Sequence, residues 1–346
     1  MSPHAEELVP ADRAVEVEER LGWLRSLLTE PGARGVLLHS RASFAWATLG
    51  GLNHVVVGAE GGAVPLLVTG QGAWALAPIN EAGRIADEEV VGLPIQVHSV
   101  PWEDPAAVAF EAERLAGGTI LSETDLGDAL KGRRSQLMSA EHARMRSLSA
   151  DIVTTMDRAL GDVQLGDTEH EVAGRVAGEL LAKGIRAPVL LAAADERIER
   201  YRHPLPTSRP VRRRLMAVAV GERWGLHAAV TRFIDLEPPS AELQRRAAAT
   251  ADVLEAMRAA TRPGETLGGV LAAAREAYGA AGFDHEWLLH HQGGTIGYAP
   301  RERIATPDDE TALGPGMAVA WNPSIAGTKL EATMIVTEGE PEELAR

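Results

Sequence analysis

The sequence of 346 residues contains no cysteine, which excludes disulfide bonds, a thiol nucleophile and a thiolate metal site. Clustered positive charge is also scarce: the formal net charge is -15, and the one basic cluster is short, Arg209 with residues 212–214. Nucleic-acid binding needs clustered Lys and Arg, so nucleic acid is excluded as a partner. No apolar run approaches the length of a membrane span, and residues 1–7 carry acids where a signal peptide carries bases. These absences predict a cytoplasmic protein that does not bind membranes.

Phosphate loops are absent as well, because the glycine pairs at 50–51 and 61–62 are not followed by the start of a helix. What remains is ordinary for a globular protein, with 45% hydrophobic and 24% charged residues. The chain is long for a single core.

An internal repeat is the most informative feature that is present. The segment from Met145 to Ala192 is echoed by the segment from Leu243 to His290. The anchors recur 98 positions later: Gly166, Thr168, Val172, Gly184 and Leu190-Leu191 correspond to Gly264, Thr266, Val270, Gly282 and Leu288-Leu289. The pattern predicts that a helix, a Thr-capped second helix and a strand occur twice around a pseudo-twofold axis.

The repeat continues into two hairpins, where residues 216–220 correspond to 317–321 and residues 225–231 to 327–333. Equivalent strands of two such halves line one shared cavity, which predicts a site between them. Ala229 of the first copy corresponds to Glu331 of the second, so the two copies differ chemically at this position.

The segment before the repeat predicts a separate, smaller α/β domain over residues 1–136, followed by the repeated domain over 137–346. It contains a helix over 15–28, strands near 35–38, 55–57, 65–68, 73–76, 95–98 and 119–121, and a helix over 105–115. A polar linker is expected over 127–136.

Several segments, in this order, carry a family resemblance. They are Met156-Asp157, the Gly166-x-Thr168-x-x-x-Val172 turn, the segment HPLPT at 203–207, the hairpin GLHAAVTR at 225–232 and the closing EATMIVT at 331–337. Over residues 141–344 the chain resembles the pita-bread superfamily, which includes creatinase, aminopeptidase P, prolidase and methionyl aminopeptidase. The resemblance implies an α+β fold, with a pita-bread C-terminal domain after a creatinase-type α/β N-terminal domain.

The peptidases of that superfamily hold two metal ions with two Asp, one His and two Glu. The resemblance places the first four ligands on Val218 or Val220, Ala229, Gly294 and Asn322, and only the last, Glu331, keeps its chemistry. One carboxylate cannot hold two divalent ions. The expectation is therefore no metal and no cofactor. A single ion held by His203, His290 and Glu331 is an alternative, with strand alternation allowing only one of His290 and His291 to reach the cavity.

The leading hypothesis is a metal-independent, creatinase-like hydrolase that cleaves a carbon–nitrogen bond of a small polar substrate. The resemblance assigns catalysis to His203, His290 and Glu331. The residues expected to bind substrate are His227, His291, Tyr298, Arg301, Glu302, Trp321, Asn322 and Lys329. Two alternatives stay open: a catalytically silent protein that binds a small ligand or partner, and a metallopeptidase with an atypical site. The resemblance also implies a homodimer.

Overall fold

The computed structural model describes residues 13–28 and 32–346. The acidic N-terminal segment, from which the sequence argues against a signal peptide, lies outside these residues. Two compact units divide the chain between Arg134 and Ser135. Within the described ranges, no helix is long and apolar enough to cross a membrane.

The first unit is built around one five-stranded sheet in the order β4-β3-β2-β1-β5. Its strands are β1 (Ala33–Ser40), β2 (Gly61–Thr69), β3 (Gly72–Pro78), β4 (Gln96–Val100) and β5 (Thr119–Ser122). Its helices are α1 (Arg13–Ser26), α2 (Arg41–Thr48), α3 (Ile79–Arg84), α4 (Ala107–Ala116) and α5 (Glu123–Ser135), and a π-helical turn, Ile85–Glu89, follows α3. Strand pairs β1–β5 and β3–β4 are parallel and the others antiparallel.

Two local predictions for this unit are wrong. Residues 55–57 form an exposed turn rather than a strand, since pairing in the sheet begins only at Gly61. Residues 123–135 form a helix instead of a polar linker, and that helix is broken at Gly127, whose φ of 48° is open to glycine.

The second unit contains the repeat. Its helices are α6 (Ser139–Gly161), α7 (Glu169–Ala182), α8 (Glu196–Arg200), α9 (Ala241–Ala260) and α10 (Leu267–Ala280), and a 3₁₀ turn covers Glu286–Leu289. Its strands are β6 (Arg186–Ala194), β7 (Arg214–Arg223), β8 (Leu226–Asp235), β9 (Gly293–Ile296), β10 (Arg303–Ile304), β11 (Ala318–Trp321), β12 (Ser324–Ile325), β13 (Thr328–Lys329), β14 (Ala332–Ile335) and β15 (Glu342–Ala345). They form a β6-β7-β8 sheet, a β10-β9-β11-β14-β15 sheet and a β12-β13 ribbon.

The helix caps show the repeat in atomic detail. Thr168 caps α7 by accepting a hydrogen bond from Glu171 N, and Thr266 caps α10 by accepting one from Gly269 N. Just before each cap, a glycine with positive φ donates its N–H to a later loop: Gly166 at 94° and Gly264 at 86°. The predicted pseudo-twofold arrangement of capped helices is confirmed.

The second strand of the repeat begins later than predicted. Leu288 and Leu289 lie in the 3₁₀ turn and are each 62% exposed, so they do not reproduce the strand at residues 190–191. The extended segment starts at Gly293, where a Cβ atom would lie 2.1 Å from the Ala320 carbonyl oxygen. The chain approaches β11 so closely that only glycine fits there.

The two halves of the repeat meet along β8 and β14. Ala229 N donates to Thr333 Oγ1 at 3.0 Å, and that hydroxyl donates in turn to Ala229 O at 3.3 Å. Nearby, His227 N donates to Gly297 O at 2.9 Å. These bonds fix the ends of both sheets beside one cavity.

Candidate active site

A cavity of about 400 Å³ lies between the two halves of the second unit. One wall is apolar and is formed by β6 and β7, whose cross-strand pairs Val189–Val220 and Leu191–Val218 face each other in the sheet. The opposite wall is polar, and its lining residues are His203, His291, Arg301, Asn322, Lys329 and Glu331. The cavity therefore has an apolar side and a charged side, as a site for a small amphipathic molecule requires.

Three histidines form a cluster, and two of them, His203 and His291, line this cavity. His203 Nε2 and His290 Nε2 are 2.9 Å apart, and the ring of His291 stacks on that of His290 with centroids 4.6 Å apart. Of the pair His290 and His291, only His291 lines the cavity, in agreement with the expectation that one of the two reaches it. Strand alternation is not the reason, because these residues lie between the 3₁₀ turn and β9, before regular pairing begins.

A buried carboxylate that the sequence reasoning missed holds the loop carrying His203. Glu169, at the start of α7, is fully buried and pairs with Arg197. It also accepts hydrogen bonds from Ala194 N at 2.8 Å and from Thr207 N and Oγ1 at 2.8 and 2.7 Å. Since these groups flank residue 203 on both sides, the carboxylate fixes the course of the loop.

The His290–His291 segment is held by an amide. Gln292 Nε2 donates to His290 O at 2.5 Å, while its Oε1 accepts from Tyr278 OH at 2.8 Å. Arg202, next to His203, forms an ion pair with Glu286 in the 3₁₀ turn. The two segments that carry the histidines are thus tied to each other by charge.

The charged wall is centred on Glu331, which is 2% exposed. Its Oε2 accepts from Thr231 Oγ1 at 2.8 Å, and its Oε1 lies 3.3 Å from a guanidinium nitrogen of Arg301. Lys329 is 5% exposed and, among residues 13–28 and 32–346, forms no ion pair within 4.0 Å. Burial lowers the pKa of the Lys329 ammonium, and the charge of Glu331 offsets part of that effect. One buried and one largely buried cation thus face one carboxylate.

The histidines are neutral at pH 7. Burial lowers the pKa of His291 to about 4, with Arg301 adding to the effect. The pKa of His290 is lowered further by burial and by Lys329, and that of His203 is lowered mainly by burial. Neutral imidazoles can each donate one proton and offer one lone pair, so the short His203–His290 contact is a hydrogen bond between two neutral rings.

Four residues predicted to bind substrate do not line the cavity. Tyr298 is buried and donates its hydroxyl hydrogen to Glu141, and Trp321 Nε1 donates to Thr261 Oγ1 at 2.8 Å within the core. His227 faces Gly297 O with its Nδ1 at 3.0 Å. Glu302 is buried beside β9, where its N–H donates to Thr295 O at 3.0 Å.

The residues present do not fit the two-metal centre that the superfamily implies. Val218 and Val220 line the cavity with hydrocarbon side chains, and Ala229 has only a buried methyl group, so none of the three has a side-chain atom that binds a metal ion. At Gly294 a Cβ atom would lie 2.0 Å from the Arg303 carbonyl oxygen, so this backbone excludes a histidine. Only Glu331 and the amide of Asn322 remain, and a pair of divalent ions needs more oxygen ligands than these two side chains offer.

Comparison with known sequences gives a family. The sequence model of Metallopeptidase family M24 matches residues 143–338. The chain is 26% identical over 220 residues to a protein from Mycobacterium tuberculosis named probable dipeptidase PepE, and this match covers 61% of the chain and 58% of that relative. The chain therefore spans less than two thirds of the curated relative that it matches.

Solved structures share the fold over nearly the whole chain. The dipeptidase from Pyrococcus horikoshii OT3 has a TM-score of 0.77 at 22% identity and covers 94% of this chain and 98% of its own. The prolidase from Pyrococcus horikoshii OT3 has a TM-score of 0.76 at 16% identity, with 95% and 98% covered. Dipeptidase PepE from Mycobacterium ulcerans has a TM-score of 0.75 at 19% identity, with 96% of each chain covered. The predicted pita-bread fold with a creatinase-type first domain is confirmed.

The leading functional hypothesis from the sequence is wrong. A metal-independent, creatinase-like reaction conflicts with a match to a metallopeptidase family and with relatives that are named dipeptidases and prolidases. The error arose from reading the lost carboxylates as loss of metal chemistry altogether. The alternative of a metallopeptidase with an atypical site agrees better with these comparisons.

Proposed function

Because the chain belongs to metallopeptidase family M24, we propose that it is a hydrolase of small peptides whose free carboxylate is bound by the charged wall of the cavity. The names of the relatives support the reaction class, since they are dipeptidases and prolidases. The cavity of about 400 Å³ falls within the usual range for small-molecule sites.

One observation carries this proposal: the buried wall has one positive charge more than it has negative charges. Lys329 is buried, the Arg301 side chain is only 14% exposed, and Glu331 is the carboxylate that lies with them on the cavity lining. Arg301 Nε is also buried and has no hydrogen-bond partner in the described ranges of the chain. An uncompensated buried cation is unfavourable, and a ligand carboxylate would both balance the charge and accept the free N–H.

The remaining groups have matching roles. His203 lies at the exposed mouth of the cavity and shares a proton with His290, so this pair is placed to pass a proton to the amine that leaves a cleaved peptide bond. The apolar wall at Val189, Leu191 and Val218 would contact an apolar side chain of the substrate. Asn322 Oδ1, buried without a hydrogen-bond partner in the described part of the chain, would accept an N–H of the substrate. A homodimer and a cytoplasmic location stay predictions from the sequence.

The test compares dipeptides that carry a free C-terminal carboxylate with the same peptides as C-terminal amides, each with zinc, cobalt or manganese added and with none. A charge-assisted hydrogen bond contributes about 1.5–3 kcal/mol, so kcat/KM for the free acids should exceed that for the amides by roughly 10- to 150-fold. Lys329→Met should reduce this preference.

The matched control is Lys183→Met, which removes the same charge from a partly exposed ion pair with Asp151 elsewhere in the unit. It should leave the preference unchanged. Equal kcat/KM values for acids and amides would contradict carboxylate binding. Absence of hydrolysis, together with calorimetric binding of the free acids, would favour a catalytically silent binding protein.

A further inference from the structure

We infer that His203, His290 and His291 form a site for a single transition-metal ion that prefers imidazole ligands, such as Zn²⁺. This site is separate in chemistry from the carboxylate-based two-metal centre that the residues at the family positions no longer provide. The inference goes beyond the proposed function and does not depend on the substrate.

The spacing of the three rings supports the site. One ring nitrogen of each histidine lies within 4.8 Å of those of the other two, and the closest pair, the Nε2 atoms of His203 and His290, is 2.9 Å apart. Zinc–nitrogen bonds are about 2.0–2.1 Å, so two ligands of a tetrahedral ion are about 3.3 Å apart. Small ring movements, opening the close pair and drawing in His291, bring all three nitrogens to that separation.

The hydrogen bonding around the rings provides a second, independent observation. His290 Nδ1 and His291 Nδ1 are both buried and have no hydrogen-bond partner in residues 13–28 and 32–346. Buried polar atoms without a partner are rare in native proteins and point to an absent water or ion. The two nitrogens of one imidazole point in different directions, so His290 Nδ1 cannot bind the ion that His290 Nε2 binds. The buried His291 Nδ1, in the ring stacked on that of His290, is the atom that supports a ligand at this cluster.

The elements that carry the cluster are fixed before any ion binds. The Glu169–Arg197 pair holds the loop on both sides of His203, and Gln292 holds the backbone at His290. Arg202 and Glu286 join the two segments. Little ordering entropy is therefore lost when an ion binds, because the ligands are already gathered.

The donor set and the nearby charges decide which ions bind. Three imidazoles suit Zn²⁺, Co²⁺, Ni²⁺ and Cu²⁺, whereas Mg²⁺, Ca²⁺ and Mn²⁺ prefer oxygen ligands. Lys329 and Arg301 repel a cation and Glu331 offsets only one of them, so the affinity should be lower than in a closed structural zinc site. Three protein ligands leave a fourth position of a tetrahedral ion open to water or substrate.

The experiment is calorimetric titration of the metal-free, full-length protein with ZnCl₂, repeated with MnCl₂, and the visible absorption spectrum with CoCl₂. We expect one Zn²⁺ per chain, weaker or no binding of Mn²⁺, and the intense cobalt bands of tetrahedral nitrogen coordination. His203→Ala and His291→Ala should each weaken Zn²⁺ binding by at least about 10- to 100-fold, the loss that removal of even a secondary partner causes.

Two controls keep the result specific. His170→Ala removes an exposed histidine of α7 and should leave Zn²⁺ binding unchanged. Lys329→Met removes a repelling charge and should strengthen it. Because His203 is exposed, its substitution leaves the core intact, so a loss of binding in that variant reports the ligand rather than the fold.

The inference is overturned by absence of saturable Zn²⁺ binding, by binding that neither histidine variant weakens, or by Mn²⁺ binding more tightly than Zn²⁺. Tighter binding of Mn²⁺ would indicate that the ion is bound by Glu331 and Asn322 instead of the three histidines. Since the titrations contain no peptide, stoichiometric Zn²⁺ binding without peptide hydrolysis would overturn only the proposed function.

Discussion

Replacing Glu331 by Gln should destabilise the second unit strongly, although the side chains have the same shape. Glutamine can still accept the hydrogen bond that Thr231 Oγ1 donates at 2.8 Å, so the substitution removes the charge and little else. The charge matters because Glu331 is 2% exposed and its ion-pair partner Arg301 only 14% exposed. Without the carboxylate, Arg301 and Lys329 are left together as buried cations.

The magnitude follows from the burial and the distance. Removing one partner of a buried ion pair costs about 3–5 kcal/mol. The Glu331–Arg301 distance of 3.3 Å is longer than that of a strong charge-assisted hydrogen bond, so we expect about 3 kcal/mol. For a unit of this size that corresponds to a Tm lower by about 6–12 °C.

The pH dependence of the variant provides a further check on Lys329. Burial lowers the pKa of Lys329 in the folded protein, so the unfolded chain binds more protons between that lowered pKa and the usual value of about 10.4. Stability of Glu331→Gln should therefore rise with pH within this window, as the buried ammonium loses its proton.

Differential scanning calorimetry of the full chain measures the effect, with Glu179→Gln as the matched control. Glu179 pairs with Arg158 at 2.8 Å, but the side chains are 25% and 63% exposed, so its loss should cost less than about 1 kcal/mol. Adding Arg301→Met to Glu331→Gln should restore part of the stability, since one of the two uncompensated cations then leaves the interior while Lys329 remains. If Glu331→Gln lowers the Tm no more than Glu179→Gln does, Glu331 does not offset buried cations and the charge argument for the cavity fails.

Two other predictions concern β9 and the residues just before it. Gly294→Ala should destabilise the protein by at least about 2 kcal/mol, because its Cβ would lie 2.0 Å from Arg303 O. Gly178→Ala in α7, with open space around it, should stabilise the protein by about 0.5–1 kcal/mol. Urea unfolding measures both changes, and equal effects would contradict the close approach at Gly294. His291 has a folded pKa of about 4 against 6.5 in a model compound, so its contribution to the stability of the metal-free protein is fully present above pH 6.5 and is lost as the pH falls toward 4, by roughly 3 kcal/mol. His291→Leu should flatten the fall of urea stability over that interval, and an unchanged slope would show that another group causes it.

The repeat was predictable because its signals are local. In both copies a Thr follows a glycine, and its hydroxyl oxygen accepts a hydrogen bond from the backbone N–H three residues later. Thr168 and Thr266 therefore both cap helices. The position of the second strand was not predictable in this way. Leu288 and Leu289 match the apolar run of the first copy, yet the close approach of Gly293 to β11 starts the strand later.

The histidine cluster shows what local periodicity could not predict about the site. Alternation of side chains holds only within a paired strand, and His290 and His291 precede the first paired residue of β9. The loop that carries His203 is positioned by tertiary contacts more than a dozen residues away in sequence. Such contacts leave no periodic signal, so the convergence of the three rings required the structure.

A comparison of the two copies at their constant offset does contain the signal for one missed residue. Glu169, the residue that fixes the His203 loop, corresponds to Leu267, which is fully buried in the core of the other half. A buried carboxylate is tolerated only where it has partners, and Glu169 finds Arg197 and three hydrogen-bond donors. Where one copy keeps a hydrocarbon and the other a buried charge, as at Ala229 and Glu331, the charge has been retained against its desolvation cost. Glu331 lines the cavity, and Glu169 holds the loop that contributes His203 and Leu205 to the lining, so a charge that breaks the internal symmetry of this fold marks the residues that shape its site.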